Sequence, residues 1–305
     1  MFMGTPEFAV PSLDLMAQAH EVVDVVTQPD RPKGRGQKHE PPTVKRRSLE
    51  LGLRVYQPDR IRGEESLARL ADDAPDVIVI VGYGQMIPKR IREMGAHGCV
   101  NVHSSLLPKY RGAAPVNWAL VRGETRTGVT TMRIVREMDA GDILMARETE
   151  IGPDETASEL NRRLAPMGAE LLLETLASLE SGTARPKPQD HSAATRAPLI
   201  RKEHGLVNWS WSAQSIYNRL RGFDPWPGIY SFFRGKRLRI LGARPESHGG
   251  IEPGHLVLVE GQVCVGCGAG RLMLEQVQIE GRKRVSALDF ARGARPAPDE
   301  VLTND

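Results

Sequence analysis

The stretches DVIVIVGYG, at 76–84, and GCVNVHSS, at 98–105, are the feature that most limits how this chain can fold. Both are apolar, β-branched runs of strand length. Strands buried on both faces belong to parallel sheets covered by helices, whereas a sheet wetted on one side alternates apolar with polar residues. Cys99, Val100 and Val102 therefore read as the inside of a buried strand, and the polar Asn101 and His103 interrupt its end. Residues two apart on a strand point the same way, and open α/β sheets bind ligands beyond the carboxyl ends of their strands. Asn101 and His103 thus share an address suited to chemistry, although an isolated histidine at a strand end is more often a hydrogen-bonded structural group.

Elsewhere in the first half, strands alternate with helices, which argues for a sheet wound with right-handed crossovers. Residues 5–19 read as a turn and a helix, with Phe8, Val10, Leu13, Leu15 and Met16 supplying apolar surface. The segment 20–30 is a strand running into QPDRPKGRGQKHEPP, a loop with too few apolar groups to anchor it and so expected to be mobile. A helix over 43–51 stopped by Gly52, a strand in LRVYQP and a helix near 63–73 precede the first apolar run. After the second run come a short helix at 116–122 and two paired strands, GVTTMRIV and DILMARETEI, joined by the loop that carries Asp139. A helix over 156–181 follows, with Thr156 and Glu159 near its start and Gly182 at its end.

The polar, proline-containing stretch beginning at 184 reads as a linker to a second domain. Beyond it the runs IYSFF, RLRIL, HLVLV, QVCVGC and RLMLEQVQI, separated by glycine-rich turns, predict a small β-barrel. With 305 residues the chain has room for two cores. The expected architecture is a Rossmann-like, mostly parallel sheet domain over 1–183, a linker over 184–200 and an OB-like β-barrel over 201–305.

Composition excludes several classes. The 40% hydrophobic and 26% charged content is that of an ordinary soluble protein. No run reaches membrane-spanning length, and the opening MFMGTPEFAVPSL lacks the basic and apolar regions of a secretory signal, so a cytoplasmic protein with no membrane association is expected. Phe2-Met3-Gly4 reads as only the last residues of a first strand, which suggests a usual start a few residues further upstream. Three cysteines suit a reducing compartment. Cys264 and Cys267 have CxxC spacing without a second pair and read as packing residues, so no metal is expected. Gly82-Tyr83-Gly84 and Gly34-Arg35-Gly36 each lack the third glycine of a dinucleotide fingerprint, and neither supports a nicotinamide cofactor.

Charge is near neutral overall, at +3, but it is clustered. Residues 31–47 carry seven basic side chains against Glu40, and residues 201–244 carry nine against Glu203 and Asp224. Such clusters are often only a solvated face, yet two of them in a nearly neutral chain point to a polyanionic partner.

The pattern HSSLLPKYRGAAP at 103–115, the asparagine two positions before its histidine, and DAGD at 139–142 resemble the folate-dependent formyltransferase superfamily. FMGTPEFA, TQPDRPKGRGQ, VIVIVGYGQMIP, LIRKEHGLVNWSWSA and RGFDPWPGIY extend the likeness over almost the whole chain, towards the branch of that superfamily acting on methionyl-tRNA. The resemblance implies transfer of a formyl group from 10-formyltetrahydrofolate to the α-amino group of methionyl initiator tRNA, without metal, by a monomer. It implies Asn101, His103 and Asp139 as catalytic residues: His103 and Asn101 donate to the developing oxyanion or the leaving nitrogen, while Asp139 holds His103 protonated and receives the amine proton. Tetrahydrofolate is expected against Ser105, Leu106, Leu107 and Pro108 and against the turn containing Val81, Gly82, Tyr83, Gln85 and Met86. Initiator tRNA is expected against Lys33, Arg35, Lys38, Arg234, Lys236 and Arg237, with Arg35 entering the acceptor arm. Two rivals remain: a formyltransferase for an amino-sugar nucleotide or purine precursor, and an RNA-binding protein in which His103 is structural.

Overall fold

The computed structural model describes residues 1–33, 38–297 and 299–304, and it divides into two compact units. The first comprises residues 1–115, 126–150 and 161–197; the second comprises 116–125, 151–160 and 198–305. Residues 184–197, expected as part of a linker, lie with the first unit, where Lys187 bonds Ile143 and Thr195 and Ala197 bond Arg111.

The strands of the first unit are β1 (Phe2–Gly4), β2 (Val25–Val26), β3 (Arg31–Lys33), β4 (Lys38–Glu40), β5 (Val55–Tyr56), β6 (Ile78–Val81), β7 (Cys99–His103), β8 (Arg126–Arg133) and β9 (Ile143–Glu150). Seven of them form one sheet in the order β5-β2-β1-β6-β7-β8-β9. The pairs from β5 to β7 are parallel, and β8 and β9 extend the sheet antiparallel. All four residues of β6 and all five of β7 are buried, as their apolar runs require.

Strand periodicity sorts the side chains into two layers. Phe2, Val79, Val81, Val100 and Val102 pack on one face with Leu13 and Met16 of α1 (Val10–Ala19), Val44 of α2 (Thr43–Glu50) and Leu172 and Leu176. Met3, Ile78, Ile80 and Cys99 pack on the other with Leu67 and Leu70 of α3 (Glu64–Asp72) and Ile91 of α4 (Lys89–Arg92). The winding starts at β1 and proceeds outward in both directions, so strand order reverses between β1 and β6. β3 and β4 pair with each other antiparallel, in register from Arg31↔Glu40 to Lys33↔Lys38, within the segment expected to be an unanchored loop. Main-chain pairing supplies the order there, and it leaves no mark on apolar periodicity.

In the second unit a six-stranded antiparallel sheet contains β10 (Ile229–Phe233), β11 (Lys236–Glu246), β12 (Leu256–Val259), β13 (Gln262–Gly266), β14 (Arg271–Ile279) and β15 (Val285–Ser286). Its path is β10-β11-β14-β13-β12, with β15 on β14. The two edges are covered by one segment: Phe232 and Thr303 exchange both backbone hydrogen bonds at 3.0 Å, Leu256 donates to Glu300, and Leu302 donates to Gly254. Arg234 reinforces the closure through an ion pair to Glu300 at 2.6 Å and a hydrogen bond to the Ala294 carbonyl. The sheet is thereby a small barrel, as expected, and the final residues remove its open edges.

Cys99, Cys264 and Cys267 are all buried. Burial pushes the Cys99 and Cys267 thiols up to about 12 and raises that of Cys264. Only the thiolate reacts with disulfide reagents, so at pH 8 the native protein is expected to expose none of its three thiols promptly and all three after denaturation. Prompt labelling of any one would contradict this packing. Among the described residues no group of three or more His, Cys, Asp and Glu is placed to hold a metal, and no helix is long and apolar enough to cross a membrane.

Candidate active site

The reversal of strand order opens a crevice beyond the carboxyl ends of β1 and β6, where doubly wound sheets bind their ligands. Three turns line it: Pro6 and Phe8 after β1, Gly82 and Gly84 after β6, and Asn101 to Ser104 at the end of β7. Gly82 has φ +60°, and a Cβ on it would come within 2.9 Å of Pro6, so this turn needs glycine. The alternation that buries Cys99 places Asn101 and His103 further along the same face of the strand. They are 9% and 6% exposed and open into a cleft of about 460 Å³ completed by Gly112, Ala113, Pro115, Asp139 and Asn161.

His103 is held from behind. Its Nε2 lies 2.9 Å from the Tyr110 carbonyl oxygen, which can only accept, so Nε2 carries hydrogen and Nδ1 is the nitrogen left for the cleft. Nδ1 stands 3.8 Å from Asp139 Oδ2, an ion-pair separation too long for a direct hydrogen bond. The same Oδ2 accepts the Gly112 N–H at 2.8 Å. Asp139 sits at φ +51° and Tyr110 at φ +63°, both in the left-handed region that side chains rarely adopt. Gly112 has φ +126°, and a Cβ there would approach the Ala197 carbonyl oxygen to 2.5 Å. The glycine of the YRGAAP run thus permits both the positive φ and the close approach to Ala197. Among the described residues no hydrogen bond ties down the Asn101 amide, which keeps its donors for a ligand.

A second cleft, of about 500 Å³, shares Pro6, Gly82 and Gly84 with the first and adds Thr5, Gln28, Tyr83, Arg31 and Arg46. A third cavity, lined by Met1, His20, Asp76 and His97, lies at the amino ends of the parallel strands, away from this chemistry.

The structure brings Asn101, His103 and Asp139 together, with Gly82 beside them and Tyr83 in the adjoining cleft. It keeps the other expected folate residues out of both linings. Ser105 is fully buried and donates to the Lys109 carbonyl; Thr130 donates to the Ser105 carbonyl and accepts from Leu107 N–H. Leu106 packs beneath Gly128. Val81 is core, Gln85 accepts from Ile61 N–H at 2.9 Å, and Met86 is 68% exposed. Pro6, Thr130, Asn161 and the Tyr110 carbonyl were not singled out in the sequence. The turn after β1 was the one available signal, because it had to end at the same crevice.

The basic clusters are partly consumed by structure. Lys45 pairs with Asp30 and Arg47 with Asp14 and Glu50, while the hydrogen bonds from Gln57 and Lys45 lower the Asp30 carboxyl below its ordinary value. In the second unit Arg221 is buried against Asn218, and Arg234 braces the barrel. Arg237 shares a small hollow with Lys202, Trp226, Pro227, Tyr230 and Arg239. Lys236 begins β11 and is exposed. Arg35, and the side chains of Lys33 and Lys38, lie outside the described residues.

Two family models match the chain: formyl transferase over residues 2–176 and formyl transferase, C-terminal domain, over 199–295. The chain is 51% identical over 303 residues to a methionyl-tRNA formyltransferase of Solibacter usitatus, covering 99% of this chain and 97% of the relative. It is 47% identical over 300 residues to one of Geobacter metallireducens, covering 98% and 96%. Among solved structures it is similar to WlaRD, a sugar 3N-formyl transferase, with a TM-score of 0.66 at 17% identity over 92% of this chain and 97% of that one. HypX from Aquifex aeolicus matches with a TM-score of 0.61 at 19% identity, over 95% of this chain and 46% of that one. These two structures carry the fold alone. The full-length identities and the two matched domains place the switch-point cleft in its family: the chain belongs to the methionyl-tRNA formyltransferases.

Proposed function

We propose that this chain transfers the formyl group of 10-formyltetrahydrofolate to the α-amino group of methionyl initiator tRNA, giving N-formylmethionyl-tRNA for translation initiation in the cytoplasm. The observation that carries the reading is the convergence of Asn101, His103 and Asp139 on one cleft at the switch point. The reaction needs a neutral attacking amine, donors for the carbonyl oxygen as it gains negative charge, and a proton for the departing folate nitrogen. The amine nitrogen bonds to the formyl carbon, the bond from that carbon to the folate nitrogen breaks, and one amine proton ends on that nitrogen. Asn101 donates its amide N–H to the developing oxyanion. His103 presents Nδ1 to the cleft and, when protonated, donates there. Asp139, fixed by the Gly112 N–H, accepts the amine proton directly or through water. Two adjoining clefts give room for a flat heterocycle beside the turn after β6 and for an acceptor end near Arg31 and Arg46.

On the barrel, Lys236 and Arg237 contact the phosphate backbone of the tRNA, with the Lys202, Trp226 and Arg239 hollow beside Arg237. Phosphate contacts release counterions, so the reading predicts that the KM for methionyl-tRNA rises with salt and that Arg237→Ala lowers the log–log slope by about one. The deciding assay compares formylation of methionyl-tRNA with that of an amino-sugar nucleotide, using 10-formyltetrahydrofolate for both. Formylation of the sugar alone would overturn the assignment.

A further inference from the structure

We infer that Gln189 is a positioning residue for this reaction: it sets the height of the Asp139 loop against His103. The inference rests on the proposal that Asp139 and His103 act in catalysis. Gln189 is 6% exposed and comes from the segment after α5 (Ala157–Glu180) that reads in the sequence as linker. Every polar valence of its amide is used. Nε2 donates to the carbonyl of Asp139 at 2.9 Å and to that of Gly141 at 2.7 Å, on either side of the loop tip. Oε1 accepts both Nε and a terminal nitrogen of Arg111, at 3.0 and 2.6 Å.

Arg111 stands between the two residues that hold the catalytic pair. Tyr110, before it, accepts His103 Nε2, and Gly112, after it, donates to Asp139 Oδ2. One amide therefore joins the backbone that carries the carboxylate to the backbone that orients the imidazole. The same segment braces both ends: Lys187 exchanges two hydrogen bonds at 2.8 Å with Ile143, Thr195 accepts the Arg111 N–H, and Ala197 donates to the Arg111 carbonyl. The Thr195 hydroxyl also accepts the Tyr110 N–H at 2.9 Å. Left-handed backbone at Tyr110 and Asp139 persists only where its surroundings over-determine it, and these bonds are that constraint. No ligand need touch Gln189 for it to matter, because the 3.8 Å between Nδ1 and Oδ2 follows from where it holds the two loops.

Gln189→Met removes both donors and the acceptor while nearly keeping the volume. The expected result is a kcat lower by about 10- to 100-fold, since a misplacement of roughly 1 Å at a reacting group is that costly. The KM values for folate and methionyl-tRNA should stay within about twofold. The decisive measurement is a double-mutant cycle with Asp139→Ala, read in single turnovers with melting temperatures recorded in parallel. A residue acting through Asp139 adds no further loss once that carboxylate is gone. An equal loss in both backgrounds would mark Gln189 as merely structural, and an unchanged kcat in a folded Gln189→Met or Gln189→Glu would overturn the inference alone. Unimpaired Asp139→Ala would instead overturn the catalytic reading, and this inference with it.

Discussion

Replacing His103 by alanine is expected to slow formyl transfer by about 10²- to 10⁴-fold, the range for loss of a positioned proton donor. Nε2 is committed to the Tyr110 carbonyl at 2.9 Å, so all of the histidine's chemistry toward substrate passes through Nδ1. Alanine removes that donor and leaves both the Tyr110 carbonyl and the Asp139 carboxylate without the ring between them. The loss should fall on kcat, because the ring contributes most when charge develops and little to binding the flat folate. Single-turnover transfer, with folate binding and melting temperature measured on the same sample, separates this from misfolding. Retained turnover in a folded His103→Ala protein would return the histidine to a structural role.

Asn101→Ala is expected to cost about 10²- to 10³-fold in kcat, the usual consequence of removing one oxyanion donor. Asn101 lies two residues before His103 on β7, 9% exposed, with its amide facing the same cleft. A neutral amide donates without adding a charge to the cleft. Asn101→Asp provides the sharper comparison, since a carboxylate of the same shape accepts where the amide donates. It should be at least as slow as Asn101→Ala at neutral pH. If Asn101→Asp outperformed Asn101→Ala in a steady-state formylation assay, the oxyanion role would be wrong.

Much of the first unit was legible because its parallel strands are buried on both faces, which turns β6 and β7 into apolar runs that no other architecture needs. The two polar residues breaking the second run were conspicuous for the same reason. Thr156 and Glu159 announced the start of α5, where the Thr156 hydroxyl accepts from Glu159 N–H and the glutamate accepts from Thr156 N–H. The β3–β4 pairing was illegible, since main-chain hydrogen bonds leave no apolar period. Gln189 was illegible too: a single glutamine in a polar stretch has no periodicity, and its three partners lie 48 to 78 residues away.

By itself, the sequence determined the class of fold, the strand that carries Asn101 and His103, and the loop that carries Asp139. Each is a local pattern: burial written as hydrophobicity, strand parity, turn residues at fixed offsets. Only the tertiary structure decided which atoms face one another. It directed Nε2 to Tyr110 and Nδ1 to the cleft, brought Gly112 to the carboxylate, docked residues 187–197 on the site, and closed the barrel with residues 300–303. Those outcomes depend on hydrogen bonds between residues distant in the chain. Such bonds are directional and nearly independent of composition, so no local pattern encodes them.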